Sequence, residues 1–195
     1  PEQIVASLKA LMEAGQTPGK VLTDAADLEN YGKDWTKIYP PKPVAIVLPK
    51  TTEQVQALVR FANENQVALV PSGGRTGLSA GAVAANGEVV VAFDNMNQIL
   101  DFSASDRTVK CQAGVVTEQL QTYAEDNGLY YPVDFASDGP TQPGGNPSTN
   151  AGGIKGIRDG QSRAWVAGPK VVTRKGEIRE RNKAHAHEKP REAPR

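Results

Sequence analysis

Thirteen of the 19 glycines fall within two stretches, residues 71–87 and 139–168. No other feature narrows the fold and the chemistry of the chain so far. The first stretch runs Pro71-Ser72-Gly73-Gly74-Arg75-Thr76-Gly77-Leu78-Ser79-Ala80-Gly81 and directly follows an apolar run. Glycine lets the backbone take positive φ and approach a ligand with no Cβ in the way. Successive backbone N–H groups in such a turn make a concavity that suits an anion. Ser72, Arg75, Thr76 and Ser79 add side-chain donors. Two readings stand side by side: a phosphate or pyrophosphate cradle, and a surface loop made flexible by glycine. The second stretch runs from Gly139 through Gly144-Gly145-Asn146 and Thr149-Asn150 to Gly152-Gly153. Small residues let a flat ligand lie against the backbone, and amide and hydroxyl side chains can bond its polar edge. The alternative is a Pro/Gly-rich linker. Two such loops in one chain favour one extended ligand shared between them.

The elements around these loops follow from apolar spacing. Residues 2–13 place Ile4, Leu8, Leu11 and Met12 at helical spacing, with Gly15 as a stop. The Pro-rich segment 39–43 reads as an extended lead-in. Residues 44–48 are a continuous apolar run and predict a buried strand. Thr51 and Gln54 make a capping box that opens a helix to about Asn65, with Val55, Leu58, Val59 and Ala62 on one face. Residues 67–70 predict a second strand, ended by Pro71. Strand, helix and strand within about thirty residues predict a parallel βαβ unit with a right-handed crossover. Further strands are expected at 89–93, 108–112 and 166–173, the last with Lys175-Gly176 as its turn. A helix is expected over 117–127, stopping at Gly128. The order divides into two lobes near residues 94–105.

Composition excludes several function classes. The 22 basic and 22 acidic residues cancel, which argues against a nucleic-acid footprint over the whole chain. That zero joins unlike parts: residues 174–195 carry +4 and residues 1–173 carry −4. No apolar run approaches the ~20 residues of a membrane span, and no signal sequence is visible at the N-terminus. The start at Pro1 rather than Met leaves room for an upstream segment. A single cysteine, Cys111, excludes an internal disulfide and fits a reducing, cytoplasmic setting. Its place in a strand pattern predicts a buried or partly buried thiol rather than a reactive one. Both histidines, His185 and His187, lie in the tail. The body therefore has no Ser-His-Asp triad, no His-ligated metal and no histidyl link to a cofactor. No catalytic or metal-ligating residue is singled out. Trp35 and Trp165 are expected to pack, and so are Tyr130 and Tyr131, with the approach of one of these tyrosines to a ligand as the alternative. Gly15–Lys20 lacks Walker spacing, and no G-x-G-x-x-G is present.

The two glycine loops resemble the FAD-binding domain of the vanillyl-alcohol-oxidase, or p-cresol-methylhydroxylase (PCMH)-like, flavoproteins. Within that family the chain is most similar to FAD-linked D-2-hydroxyacid dehydrogenases acting on D-2-hydroxyglutarate, D-lactate or glycolate. The match runs from about Tyr31 to Lys183. It is carried by Asp34-Trp35, Val47-Leu48-Pro49, Thr52-Glu53-Gln54-Val55, the loop 71–81, Asp94-Asn95-Met96-Asn97, Ala113-Gly114-Val115, Gly144-Gly145-Asn146, the run 148–153 and Lys170-Val171-Val172. The resemblance implies an α+β, two-lobed PCMH-type FAD-binding domain: a small parallel βαβ lobe at about 31–98 and a mixed-sheet lobe at about 99–178, after a helical lead-in at 1–30. It implies that Pro71, Ser72, Gly73, Gly74, Arg75, Thr76, Gly77, Leu78 and Gly81 wrap the FAD pyrophosphate. Gly139, Gly144, Gly145, Asn146, Thr149, Asn150, Gly152 and Gly153 would lie along the ribityl chain and isoalloxazine. It further implies non-covalent FAD, a small 2-hydroxyacid substrate, hydride transfer to flavin N5 and an electron acceptor other than NAD.

Four prolines depart from the family pattern: Pro140, Pro143, Pro147 and Pro169. Each removes a backbone donor and fixes φ. In the flavin loop this works against FAD binding, and in the strand pattern it argues for an edge or a break. Residues 179–195 contain no Val, Leu, Ile, Phe, Tyr or Trp, so they are expected to form a disordered tail. The domain is thus expected to be incomplete at its C-terminus, as in a truncated or frame-shifted gene product that lacks turnover alone. Two alternatives stand beside this: a non-catalytic, folding-defective remnant, and an FAD-dependent reductase of UDP-sugar precursors.

Overall fold

A computed structural model describes residues 1–133, 140–153 and 161–181. Gly139, Lys155, Arg158 and both histidines lie outside the described residues. The order is α1 (Glu2–Glu13), β1 (Lys20–Leu22), α2 (Ala25–Tyr31), β2 (Ala45–Leu48), α3 (Thr52–Asn65), β3 (Leu69–Ser72), β4 (Val89–Ala92), β5 (Ile99–Ser103), β6 (Thr108–Cys111), α4 (Thr117–Asp126), α5 (Asn146–Thr149), β7 (Lys170–Val172) and β8 (Ile178–Glu180), with a 3-10 turn at Ser162–Trp165 before β7.

The first sheet has the order β1-β2-β4-β3. Its two central strands, β2 and β4, are buried at every position, which is why they read as unbroken apolar runs rather than alternating ones. Alternate residues serve opposite faces. Ala45, Val47, Val89 and Val91 pack with Leu8 and Met12 of α1 and Leu58 of α3. Ile46, Leu48, Val90 and Ala92 pack with Ala84, Leu22, Leu28 and Tyr31. The capping box that opens α3 is present: Thr51 Oγ1 accepts from the Gln54 N–H at 3.1 Å, and the Gln54 side chain accepts from the Thr51 N–H.

β2, β3 and β4 run parallel, so β2-α3-β3 is the expected βαβ unit, with β4 inserted between its strands. β1 adds antiparallel to β2. The segment 1–30, set apart as a lead-in by the sequence, therefore belongs to this sheet and its core. Pro71 does not end its strand; it pairs with Val91 inside β3. The reason is position: β3 is an edge strand, where proline's missing N–H costs no ladder bond.

Beyond residue 98 the described strands pair as two antiparallel hairpins, β5-β6 and β7-β8. Arg179 and Glu180, assigned to the tail by their composition, are in β8 and pair with Val171 and Lys170. That strand is exposed throughout and needs no apolar burial, because its backbone ladder and the tight turn at Gly176 hold it. Pro169 sits just before β7, and its carbonyl accepts from Arg181 at 3.1 Å. The hairpin also docks on α3: Gln56 donates to the Gly176 carbonyl and Asn63 to the Arg174 carbonyl, each at 2.8 Å. Trp35 and Trp165, expected to pack, are instead exposed, Trp35 by 69%. Cys111 is half-buried, and burial pushes its thiol pKa up.

Candidate functional site

Parallel strands deliver their following loops to one edge of the sheet, and open α/β sheets take ligands beyond those carboxyl ends. Here the loop after β3 is the first glycine stretch and the loop after β4 carries Asp94. The Phe93 N–H donates to the Ser72 carbonyl at 3.3 Å, which carries the ladder one step past the strands. Phe93 thus stands level with Gly73, and Asp94 follows it at the mouth of the loop.

Among the described residues, none of the backbone N–H groups of residues 73–79 donates to a protein acceptor. Seven consecutive donors are left open, in a turn where Arg75 takes φ +59°. The far end of the loop is pinned. Asp34, 3% exposed, accepts from the Ala80 N–H with Oδ2 at 3.2 Å; its Oδ1 accepts from the Thr36 N–H, the Thr36 hydroxyl and the Lys37 N–H. Burial alone would raise this carboxyl, but the hydrogen bonds outweigh it and hold its pKa below the usual aspartate value.

The Arg75 guanidinium does not point outward. It forks onto Asp94, Nη2 to Oδ2 at 3.0 Å and Nη1 to Oδ1 at 3.4 Å, and Nη1 also reaches the Gly73 carbonyl at 3.0 Å. Its carbon lies 4.6 Å from the centre of the Tyr31 ring, a cation–π contact. Burial first, and Asp94 next, push the Tyr31 phenol pKa up. The charge of Arg75 is thus committed within the protein, while the backbone N–H groups of its loop are not.

The second glycine loop closes against the first. A Cβ on Gly74 would strike the Pro140 carbonyl, so glycine is what allows the two backbones to touch. Gly144 is similarly required: its Cβ would stand 2.6 Å from that of Ala113. Around Gly77 and Gly81, by contrast, a Cβ would meet nothing within 4 Å. The packing of the fold does not need glycine there.

The side chains of Thr141, Gln142 and Asn146 in the second loop are buried. Thr117 Oγ1 donates to the Thr141 carbonyl at 2.9 Å and accepts from Thr141 Oγ1 at 2.9 Å and Asn146 Nδ2 at 3.3 Å. Asn150 donates to Gln161 at 2.6 Å and accepts from the Arg163 N–H at 3.0 Å. The amides of Asn146 and Asn150, which the sequence offered to a ligand edge, thus hold the loop itself. Thr149 is exposed, and a Cβ on Gly152 would touch Gln161. Pro143 and Pro147 are accommodated by the backbone. Pro143 is the second residue of a turn closed by the Gly145 N–H on the Gln142 carbonyl, and Pro147 lies in the first turn of α5.

Gln142 was missed by sequence reasoning. It is 5% exposed and donates from Nε2 to Asp94 Oδ1 at 3.4 Å, while its Oε1 has no partner among the described residues. No spacing signal marks it, because its partner is 48 residues away.

The sequence profile of the FAD binding domain matches residues 43–182. The chain belongs to the FAD binding domain family. It is 68% identical over 180 residues to D-2-hydroxyglutarate dehydrogenase of Stutzerimonas stutzeri, covering 92% of this chain and 38% of that protein. The Xanthomonas citri pv. viticola enzyme of that name is 56% identical over 165 residues, covering 85% and 35%. The mitochondrial D-2-hydroxyglutarate dehydrogenase of Danio rerio is 37% identical, covering 83% and 30%. The chain thus spans about a third of the length of these relatives. Among solved structures, an alkyldihydroxyacetonephosphate synthase superposes with a TM-score of 0.80 at 21% identity, covering 94% of this chain and 35% of that one. A p-cresol methylhydroxylase with bound substrate gives 0.71 at 23%, covering 92% and 35%. The α+β, PCMH-type fold expected from the resemblance is therefore the fold of this chain. No helix among the described residues is long and apolar enough to cross a membrane.

Proposed function

We propose that this chain is the FAD-binding part of an oxidoreductase that oxidises a D-2-hydroxyacid, with D-2-hydroxyglutarate the first candidate, and that it holds FAD without a covalent bond. The observation that carries the reading is the open donor array of residues 73–79 beside the closed Gly74–Pro140 junction, in a chain 68% identical to a D-2-hydroxyglutarate dehydrogenase. The donor set fits the group: seven backbone N–H groups suit a pyrophosphate, and bare glycines suit a flat ring.

Bound FAD would supply the acceptor for the hydride leaving the substrate α-carbon, at flavin N5. The chain's own residues do the holding. Residues 73–79 neutralise the phosphates with backbone dipoles, while Asp34 fixes the end of their loop and Asp94 fixes Arg75. The knot of Thr117, Thr141 and Asn146 keeps the second loop rigid against the ring, with Gly144, Gly145, Gly152 and Gly153 bare of side chains along it. No described side chain is in a position that assigns it as the acid or base for a hydroxyacid, and the first 173 residues contain no histidine. This chain alone is therefore expected to bind flavin and not to turn over.

The test is direct. The 195-residue chain is mixed with FAD, desalted, and its visible spectrum recorded. Retained flavin bands that pass to the supernatant on acid precipitation support non-covalent binding; colourless protein overturns the cofactor reading. Dye reduction with D-2-hydroxyglutarate, D-lactate and glycolate then tests turnover.

A further inference from the structure

We infer that Gln142 is a ligand contact: its Oε1 accepts a hydrogen bond from an O–H or N–H of the bound dinucleotide. The inference rests on the flavin reading above and goes beyond it, because it sorts the cleft into a donor rim and an acceptor corner.

The amide of Gln142 has only one sensible orientation. A carboxylate accepts and cannot donate, so the end of the amide facing Asp94 Oδ1 is Nε2. Oε1 then faces Gly73, 3.6 Å from where that residue's Cβ would be. There it is buried and unpartnered among the described residues. A buried amide oxygen without a donor is costly, and few occur in a native domain. Gly73 puts no side chain on that side, where a Cβ would come into ordinary contact with Oε1.

The chemistry of that corner restricts what can enter. Asp94 already receives both arms of Arg75 and Nε2 of Gln142. Oε1 adds an acceptor beside that carboxylate. A phosphate at neutral pH offers only acceptors and a negative charge, so it is repelled here. It is drawn instead along the open N–H groups of residues 73–79. The part of FAD at Gln142 must donate. FAD donates only through its ribityl and ribose hydroxyls, its isoalloxazine imide N–H and its adenine amino group. Gln142 thus reads the cofactor's polyol or ring edge and sets the register of the phosphates along the neighbouring loop.

Two substitutions separate this role from a structural one. Gln142→Met keeps the volume and loses both hydrogen bonds. Gln142→Glu keeps an acceptor for the ligand but places a carboxylate against Asp94. If the ligand uses Oε1, FAD affinity falls about tenfold in Gln142→Met, the loss expected for one hydrogen bond, and stays within about threefold in Gln142→Glu. If Gln142 serves only to brace Asp94, the order reverses and the Glu variant binds more weakly than the Met variant. If Oε1 is satisfied by an internal water alone, both variants bind as the parent does. Either of the last two results overturns the inference. Thermal unfolding without ligand, measured first, shows that each variant folds, and Gln142→Leu replaces a Met variant that does not. Competition with riboflavin and with ADP-ribose then identifies the donor, since only the fragment that carries it loses affinity in the Met variant. Failure of the parent chain to bind FAD is a separate result and counts against the proposed function instead.

Discussion

The two glycine-rich loops have similar compositions and opposite constructions. In 71–81 the backbone is open and the side chains brace it from outside: Asp34 takes the Ala80 N–H, and Asp94 takes Arg75. In 140–153 the side chains of Thr141, Asn146 and Asn150 are spent on anchoring the loop to Thr117 and Gln161. One loop presents donors and the other presents a rigid surface. Glycine serves both, but for different reasons. At Gly74 and Gly144 it allows chain to touch chain; at Gly77 and Gly81 it leaves space. Counting glycines reveals the loops without revealing this division of labour.

Substitutions test the contrast. The largest loss is expected at the junction. Gly74→Ala places a methyl against the Pro140 backbone and should cost roughly 3 kcal/mol, the upper end of overpacking, read by urea unfolding. Next is Thr117→Val, which leaves Thr141 and Asn146 with buried unpaired groups; about 1–3 kcal/mol is expected from thermal melts. Arg75→Met removes a fork on Asp94 and the contact with Tyr31. The pair is a quarter exposed, so about 1 kcal/mol is expected in the same melts.

The Asp34 brace should show itself in acid. Its folded pKa lies below the unfolded one, so its contribution is complete above the unfolded value near 4 and is lost as pH falls through the folded value. Urea midpoints between pH 2 and 6 should fall more steeply for the parent than for Asp34→Asn. An equal slope would remove Asp34 from the brace. The smallest effect on stability belongs to Gly77→Ala, within about 0.5 kcal/mol. The same variant should bind FAD measurably more weakly by equilibrium fluorescence quenching, because its methyl occupies the face proposed for the ligand. An unchanged affinity would place the ligand elsewhere.

What could be read in advance follows from which groups act locally. β2, β4 and α3 were legible because burial on both faces writes an apolar run, and because Thr51 and Gln54 close a capping box within three residues. β1, with three residues, and α2, with no buried residue, write no such pattern. Trp35 was misplaced because composition cannot tell a large apolar residue on the surface from one inside. In the site, the loops were legible as backbone features. The fork of Arg75 onto Asp94 spans 19 residues and the bond from Gln142 spans 48, so neither leaves a mark on local spacing. The four prolines looked disruptive in the sequence, yet Pro143, Pro147 and Pro169 occupy turn, first-turn and strand-entry positions.

The hairpin β7-β8 bears on timing. Its bonds to α3 join residues 120 and 111 apart, whereas β2, α3, β3 and β4 assemble within about fifty residues. Closing the longer loops carries more chain entropy and slows the steps that depend on them. The parallel sheet can therefore form while the chain is still emerging. The acceptor corner at Gln142 must wait until the second lobe comes back to meet it. A cofactor that binds the finished cleft acts as a clasp on the last step of folding, so FAD in the refolding buffer should raise the yield of native chain more than it speeds formation of the sheet.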